Sequence, residues 1–512
     1  MNEMNRKRYE KNQILRVQIT DIGENGEGIG KVDGYTLFVK DAVVGDEVDA
    51  LITKPKKNYA YARTHKVVVP STDRVVPPCE NASRCGGCQV QNLSYDAQKK
   101  YKEKKVRDDL IRIGGFDESI IDTIMEPIVG CDNPDYPFRY RNKAQFPIGR
   151  DKNGNIIAGF YAGRTHSIIA CEDCLIGVEE NKDILNIIIS YMEENHITAY
   201  DETSLKGIVR HVLIRKGFSS GEIMVCLVIS SVGKITGFKS DSGVEYSRIS
   251  TLPNQNELIE KLKSIDGVKS ICVSVNPENT NVIMGNEIHL LWGKGVISDT
   301  MRLRDVQNDF SVIDGTEVKF DISPLSFYQV NPVQVEKLYS IALDYARLNG
   351  TEEVWDICCG IGTISLCAAR YMEKEIASGT MSNDAKRGIV HGIEIVPPAI
   401  EDAKKNAENN GIQNVEFICA AAEEYLPEHK EEIRADVIIL DPPRKGMETA
   451  ALDVIADASP SRIVYVSCDP ATLSRDLKYL CEKGYSLCRV RPVDMFMHSV
   501  HVETVCLLSK KP

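Results

Sequence analysis

From Pro332 onward helical and strand patterns alternate, and this alternation narrows the possible folds more than any other feature of the chain. A helical run, VEKLYSIALDYARLNG, leads into a strand, EEVWDICCG, and further strands follow in IVHGIEI, VEFICA, ADVIILDPP and RIVYVSC, with helical stretches between most of them. Short apolar strands joined in this way bury both faces in a mostly parallel sheet with helices on each side. Such a sheet binds ligands in the crevice at the carboxyl ends of its strands. The residues at those ends are therefore the first candidates for chemistry.

The first strand ends in Asp356-Ile-Cys-Cys-Gly360-Ile-Gly362-Thr363. Glycines there let a ligand approach the backbone at a helix N-terminus, and the next strand ends in Glu394, placed to hold ribose hydroxyls. Glu394 follows Asp356 by 38 residues, against about 20 in the usual dinucleotide fold. The polar stretch 373–388, EKEIASGTMSNDAKRG, is expected to be an exposed loop insertion that accounts for the excess. A Gly-x-Gly pair also serves any turn with positive φ, so alone it is a weak signal. The later strand ends are more specific: the fourth closes in Asp441-Pro-Pro-Arg444-Lys-Gly446 and the fifth in Val466-Ser-Cys468-Asp-Pro470. A cysteine opening onto that crevice between a serine and an Asp-Pro turn is poorly explained as core filler. Cys358, Cys359 and Cys419 read by default as structural thiols.

The rest of the 512-residue chain is too long for one core and divides into several domains. Residues 12–68 alternate short β-rich runs with glycine turns, the pattern of a small β-barrel. Pro70 to Pro78 reads as an extended linker, and YDAQKKYKEKKVRDDLIRIGG as a charged helix closed by glycines. From about 136 to 330 strands dominate, among them YRNKAQFPIG, EIMVCLVIS and GVKSICVSVN, with two or three amphipathic helices. No run of 18 apolar residues occurs, and Met1 to Lys11 are polar and basic. Neither a membrane span nor a signal peptide is expected, and the chain is read as cytoplasmic.

Net charge is −12, yet residues 1–150 hold 25 Lys+Arg against 22 Asp+Glu, which leaves the acidic excess to the remainder. The amino-terminal part is thus the better nucleic-acid face. Lys54, Lys56, Lys57, Arg63 and Lys66 run without an acid among them and are interleaved with Tyr59, Tyr61 and His65, a composition suited to phosphate contact and base stacking. The same residues also fit a solvated lysine-rich loop. Sixteen cysteines in a long intracellular chain point to reduced thiols, a metal site or a nucleophile. Cys79, Cys85 and Cys88 lie close together, with Cys171 and Cys174 much later, and this spacing accommodates zinc or an iron–sulfur cluster without choosing.

Five strings together carry a resemblance to a known family: DISPLSFYQVNP (321–332), DICCGIGTISL (356–366), LDPPRKG (440–446), VYVSCDPATLSRDL (464–477) and DMFMHSVHVETV (494–505). In this order and spacing they resemble the TrmA-like RNA uracil-C5 methyltransferases, and the likeness covers nearly the whole chain. The amino-terminal barrel resembles the TRAM domain of the members that act on 23S rRNA, the RumA and RlmCD type. The resemblance implies a class I, Rossmann-like methyltransferase domain using S-adenosylmethionine. It implies Cys468 as a nucleophile toward uracil C6, Glu503 as the base that removes the C5 proton, and Arg444 as a contact to the flipped base. Gln329, Cys358, Gly360, Glu394 and Asp441 are implied on the cofactor side. Cys358 replaces the usual Tyr or Phe, and Ala421 a frequent Asn or Asp. A 4Fe–4S cluster on Cys79, Cys85, Cys88 and Cys174 is likewise implied, with Cys171 a spare.

The expected architecture is therefore multidomain α/β: an OB-like TRAM barrel over 1–69, a small iron–sulfur region over 70–135, a central mainly β unit over 136–331 and a methyltransferase domain over 332–512. The expected partner is RNA, most of all 23S rRNA, with no membrane and a monomeric chain. The same chemistry on tRNA is one alternative. Two others are an amino-methyltransferase, which would need no cysteine, and a non-catalytic RNA-binding factor. Read without the resemblance, Glu503 is a surface acid on the last hairpin.

Overall fold

The computed structural model describes residues 9–163, 165–240, 243–377 and 387–511. Five strands, Ile14–Ile22, Gly28–Val32, Tyr35–Lys40, Glu47–Pro55 and Tyr59–Val69, close into a barrel in which the fifth lies between the third and the fourth. Alternation puts Val17, Ile19, Leu37, Val39, Val48, Ala50, Ile52, Ala60 and Ala62 inside, as the period-two pattern requires. On the outer face Phe38 and Tyr61 are directly paired, and with Tyr59 they form a half-exposed aromatic trio, each pair of centroids 5.7 Å apart. The proline-rich linker is fastened back to the barrel by Arg74, which pairs at 2.5 Å with the fully buried Asp46.

The charged helix forms over Tyr95–Arg112, capped by the Ser94 side chain. A seven-stranded sheet then occupies the middle of the molecule, in the order Glu287–Gly293, Val268–Val275, Ile223–Ile229, Val209–Lys216, Lys143–Arg150, Ile156–Tyr161 and Ile168–Ala170. Helices Glu180–Glu194 and Gln255–Lys263 cover one face. The other face, through Leu213, Met224, Cys226 and Cys272, joins the core of the carboxyl-terminal unit. Burial on both sides explains why Ile223–Ile229 is a continuous apolar run rather than an alternating one.

The carboxyl-terminal sheet has the order Val415–Cys419, Ile389–Glu394, Glu353–Ile357, Val437–Leu440, Arg462–Ser467, Glu503–Lys510, Tyr485–Val493. Its first five strands are parallel and the last two run antiparallel to each other, with Glu503–Lys510 antiparallel to Arg462–Ser467. This unit reaches back past Pro332. Strands Ile297–Met301 and Val318–Ile322 pair, and their apolar side chains share one core with helices Pro332–Ala346 and Thr363–Ala377. The change of texture at Pro332 marks the start of regular alternation and not the edge of the core. Residues 373–377 of the expected insertion continue the helix Thr363–Ala377; residues 378–386 lie outside the described residues. Among the described residues no helix is long and apolar enough to cross a membrane.

Candidate active site

Three strand ends in the carboxyl-terminal sheet assemble an acidic crevice. Asp356 is fully buried; Ser365 Oγ donates to its Oδ2 at 2.5 Å, while Oδ1 has no hydrogen-bond partner among the described residues. Burial, with Glu394 nearby, pushes its pKa up to about 7. Asp441, at the end of Val437–Leu440, is likewise pushed up to about 7 by enclosure and by the Asp356 charge. The Glu394 carboxylate accepts from the Gly360 amide at 3.1 Å and the Val396 amide at 3.0 Å. These bonds hold it beside the glycine turn with lone pairs to spare.

The backbone between these acids is shaped for a ligand. Cys358 and Gly360 adopt φ of +70° and +57°, and a Cβ on Gly360 would meet nothing within 4 Å, so space adjoins the turn. Gly362 has no such room, since a Cβ there would lie 2.7 Å from Phe417. The Cys358 thiol is pushed up to about 12 by burial and by the carboxylates Glu394 and Asp441. An orphaned buried carboxylate oxygen, a carboxylate at the ribose position and an open glycine turn fit S-adenosylmethionine, whose sulfonium and ammonium charges favour ionised acids. Gln329 is buried on the loop before Pro332–Ala346, and its carbonyl accepts from Asn142 Nδ2 at 3.0 Å, so the central sheet fixes that loop.

Cys468 and Glu503 meet because two strands far apart in sequence pair antiparallel. Ser467 lies opposite Thr504, so the next residues outward are Cys468 and Glu503. Glu503 is only 4% exposed, which removes the reading of it as a surface acid. Burial, reinforced by Asp441 and opposed by Arg444, pushes its pKa up to about 8. The half-buried Cys468 thiol is pushed up to about 11 by burial and by Glu503 and Asp441, again opposed by Arg444. Arg444 is thus the cation common to both groups. Its loop is tied to the helix that follows Cys468: Thr472 Oγ1 donates to the Arg444 carbonyl at 3.1 Å, and the Met447 amide to Asp476 Oδ2 at 2.9 Å. Asp469 caps that helix, accepting from Ala471 and Thr472 amides at 3.0 Å each.

Cys468, Glu503, Arg444, Asp441, Cys358 and Glu394 therefore form one chain of interacting groups. Asp356 and Asp476 border this site, though neither is assigned a role by the motifs that contain it. The signal for Asp356 was present, as the last acid before the glycine turn; Asp476 gave none, because its partners Met447 and Tyr465 lie on other elements.

The cysteine-rich segment lies apart from this crevice. Cys79, Cys85, Cys88 and Cys174 feel one another's charge, and burial raises the first three, Cys88 to about 12. Cys171 hydrogen-bonds Cys174 and so stands beside the group. All sixteen cysteines are free thiols. Among the described residues no three His, Cys, Asp or Glu side chains are disposed to hold a single metal ion.

Residues 298–511 match the tRNA (Uracil-5-)-methyltransferase family, and residues 8–64 match the TRAM domain. A Clostridium tetani protein named as an uncharacterized RNA methyltransferase is 43% identical over 501 residues, 98% of this chain and 97% of its own. One from Halalkalibacterium halodurans, named likewise, is 43% identical over 503 residues, 98% of each chain. Among solved structures, the Pyrococcus abyssi tRNA (uracil-54, C5)-methyltransferase in complex with S-adenosyl-L-homocysteine superposes with a TM-score of 0.68 at 26% identity. It covers 96% of this chain and 100% of its own.

Proposed function

This chain belongs to the RNA uracil-5-methyltransferase family, and on that premise we propose that it methylates C5 of a uridine in 23S rRNA, with Cys468 as covalent nucleophile and Glu503 as general base. The observation that carries this reading is the pairing of Arg462–Ser467 with Glu503–Lys510, which sets a thiol and a buried carboxylate side by side at the crevice. Uracil C5 is a poor nucleophile. Cys468 loses its proton to solvent and adds as the thiolate to C6, which forms an S–C6 bond and moves the ring electrons toward C5 and O4, making C5 reactive. S-adenosylmethionine, when bound, supplies the electrophilic methyl group. Glu503 then takes the C5 proton, the C5–C6 double bond re-forms, and the S–C6 bond breaks to return the thiolate. Arg444 stabilises the anionic forms of both groups and contacts the base drawn out of its stack.

Gln329, Cys358, Gly360, Glu394 and Asp441 hold the cofactor in this reading. In the same reading Cys79, Cys85, Cys88 and Cys174 would hold a 4Fe–4S cluster, since the four lie near enough to feel one another's charge and a cluster lets each sulfur bind a different iron. A second reading, tRNA as substrate, is favoured by the whole-chain likeness to the Pyrococcus abyssi enzyme. Purified enzyme offered 23S rRNA and tRNA transcripts should form 5-methyluridine in the former; methylation of tRNA alone would transfer the chemistry to the second reading. Cys468→Ala should abolish turnover and leave S-adenosylmethionine binding within about twofold. Turnover above a few per cent of wild type would overturn the nucleophile assignment.

A further inference from the structure

Glu503 is the first residue after the connection Asp494–Val502, which joins the last two strands, and Val493 pairs directly with Glu503 across it. Within the connection the Ser499 amide and Oγ both donate to the Phe496 carbonyl, at 3.2 and 2.7 Å. His498 sits at φ +66°, a conformation disfavoured for a residue with a side chain. Many of the connection's other polar groups are met from outside. Lys102 Nζ donates to Asp494 Oδ1 at 2.5 Å and to the Phe496 carbonyl at 2.9 Å. Gln98 Oε1 accepts from the His498 amide at 2.8 Å, and Gln98 Nε2 bonds His498 Nδ1 at 3.2 Å. The Gln89 and Val90 amides, just after Cys88, donate to the His498 carbonyl at 3.0 and 3.1 Å.

Gln98 and Lys102 are one turn apart on the helix Tyr95–Arg112, and they are 1% and 0% exposed. A fully buried Lys–Asp pair is a poor stabiliser, because well-packed apolar side chains often do as well or better. Asp494 Oδ2 moreover has no partner among the described residues. Such a pair is better suited to fixing one geometry. Register matters acutely here, since a slip of one residue in a strand turns every side chain to the opposite face, which would carry Glu503 away from Cys468.

We propose that Gln98 and Lys102 are positioning residues for Glu503, and that they lock the Asp494–Val502 connection so that the carboxylate faces the Cys468 adduct. The proposal rests on the reading of Glu503 as base. It makes the cysteine-bearing segment part of the machinery for proton removal, since that segment leads directly into the helix carrying both residues.

The test uses the full-length chain and whichever transcript, 23S rRNA or tRNA, the wild type methylates. Gln98→Ala removes one anchor; Lys102→Met with Asp494→Asn removes the ion pair without leaving either charge buried alone. Each is compared with Glu503→Gln for S-adenosylmethionine binding, methyl incorporation and the fraction of enzyme in a denaturation-resistant RNA adduct at steady state. Both variants should bind cofactor within about twofold, release product about tenfold more slowly and accumulate adduct as Glu503→Gln does. A merely structural role would lower all activities together without raising the adduct fraction, and that result would overturn the proposal. If the ion-pair variant does not fold, Gln98→Ala decides alone. If Glu503→Gln itself accumulates no adduct, the base assignment fails and the positioning role with it. Adduct in Glu503→Gln but not in the variants sinks the positioning role only.

Discussion

At the scale of single residues, the environment that brings Cys468 and Glu503 together also suppresses the ionisation of both. With the thiol pushed up to about 11 and the carboxyl to about 8, the free enzyme near neutral pH holds a thiol beside a mostly protonated acid. Glu503 has its pKa raised, so burial favours its protonated form. The stability it contributes is fully present below the ordinary value of 4.5 and is lost as pH rises through about 8. Catalysis has the opposite dependence, because the base must be ionised to take the C5 proton. The rate at which the methylated adduct resolves should therefore climb with pH up to about 8, with no plateau near pH 5 to 6; a resolution rate that is flat between pH 5 and 8 would contradict Glu503 as the base. Cys468 was legible from sequence because its strand end and Asp-Pro turn announce the crevice. The burial of Glu503 was not, because its strand is enclosed between Arg462–Ser467 and Tyr485–Val493, where Val493 pairs with it.

At the scale of elements, turns and spacings were read well where backbone conformation dictates residue type. The glycine turn after Asp356, the charged helix Tyr95–Arg112 and the barrel hairpins all rest on local rules. The connection Asp494–Val502 was legible only as a motif, since many of the bonds that hold it come from residues far away in sequence, among them Gln98, Lys102, Tyr140, Asn331 and Gln334. The cysteine segment lies between these cases: its spacing showed a metal-like pattern, and folding brings Cys174 to the triplet. The cluster reading requires that protein purified without oxygen be brown, with about four iron atoms per chain. One equivalent of zinc and no visible absorption would contradict it.

At the scale of the whole molecule, an acidic chain presents a basic, aromatic face on one small barrel. Lys54, Lys56 and Lys57 are exposed beside the trio of Phe38, Tyr59 and Tyr61, a combination that suits backbone contact and base stacking on single-stranded RNA. Replacing Lys54 and Lys57 with alanine should weaken RNA binding and reduce the slope of log affinity against log salt by roughly 1.4, at about 0.7 per phosphate contact. An unchanged slope would remove the barrel from the RNA interface. The amino-terminal barrel and the carboxyl-terminal sheet were legible from texture, but the packing of Ile297–Ile322 into the methyltransferase core was not, because two short strands before Pro332 carry no mark of the layer they join. The central claim, covalent attack by Cys468 on a uracil in RNA, has one direct measurement. RNA transcribed with 5-fluorouridine in place of uridine presents fluorine where Glu503 must take a proton, so the adduct cannot be resolved. Mixed with enzyme and S-adenosylmethionine, it should give a denaturation-resistant complex whose added mass maps by peptide sequencing to Cys468. A complex that maps to another residue, or no complex from an enzyme that forms 5-methyluridine on ordinary RNA, would contradict the account.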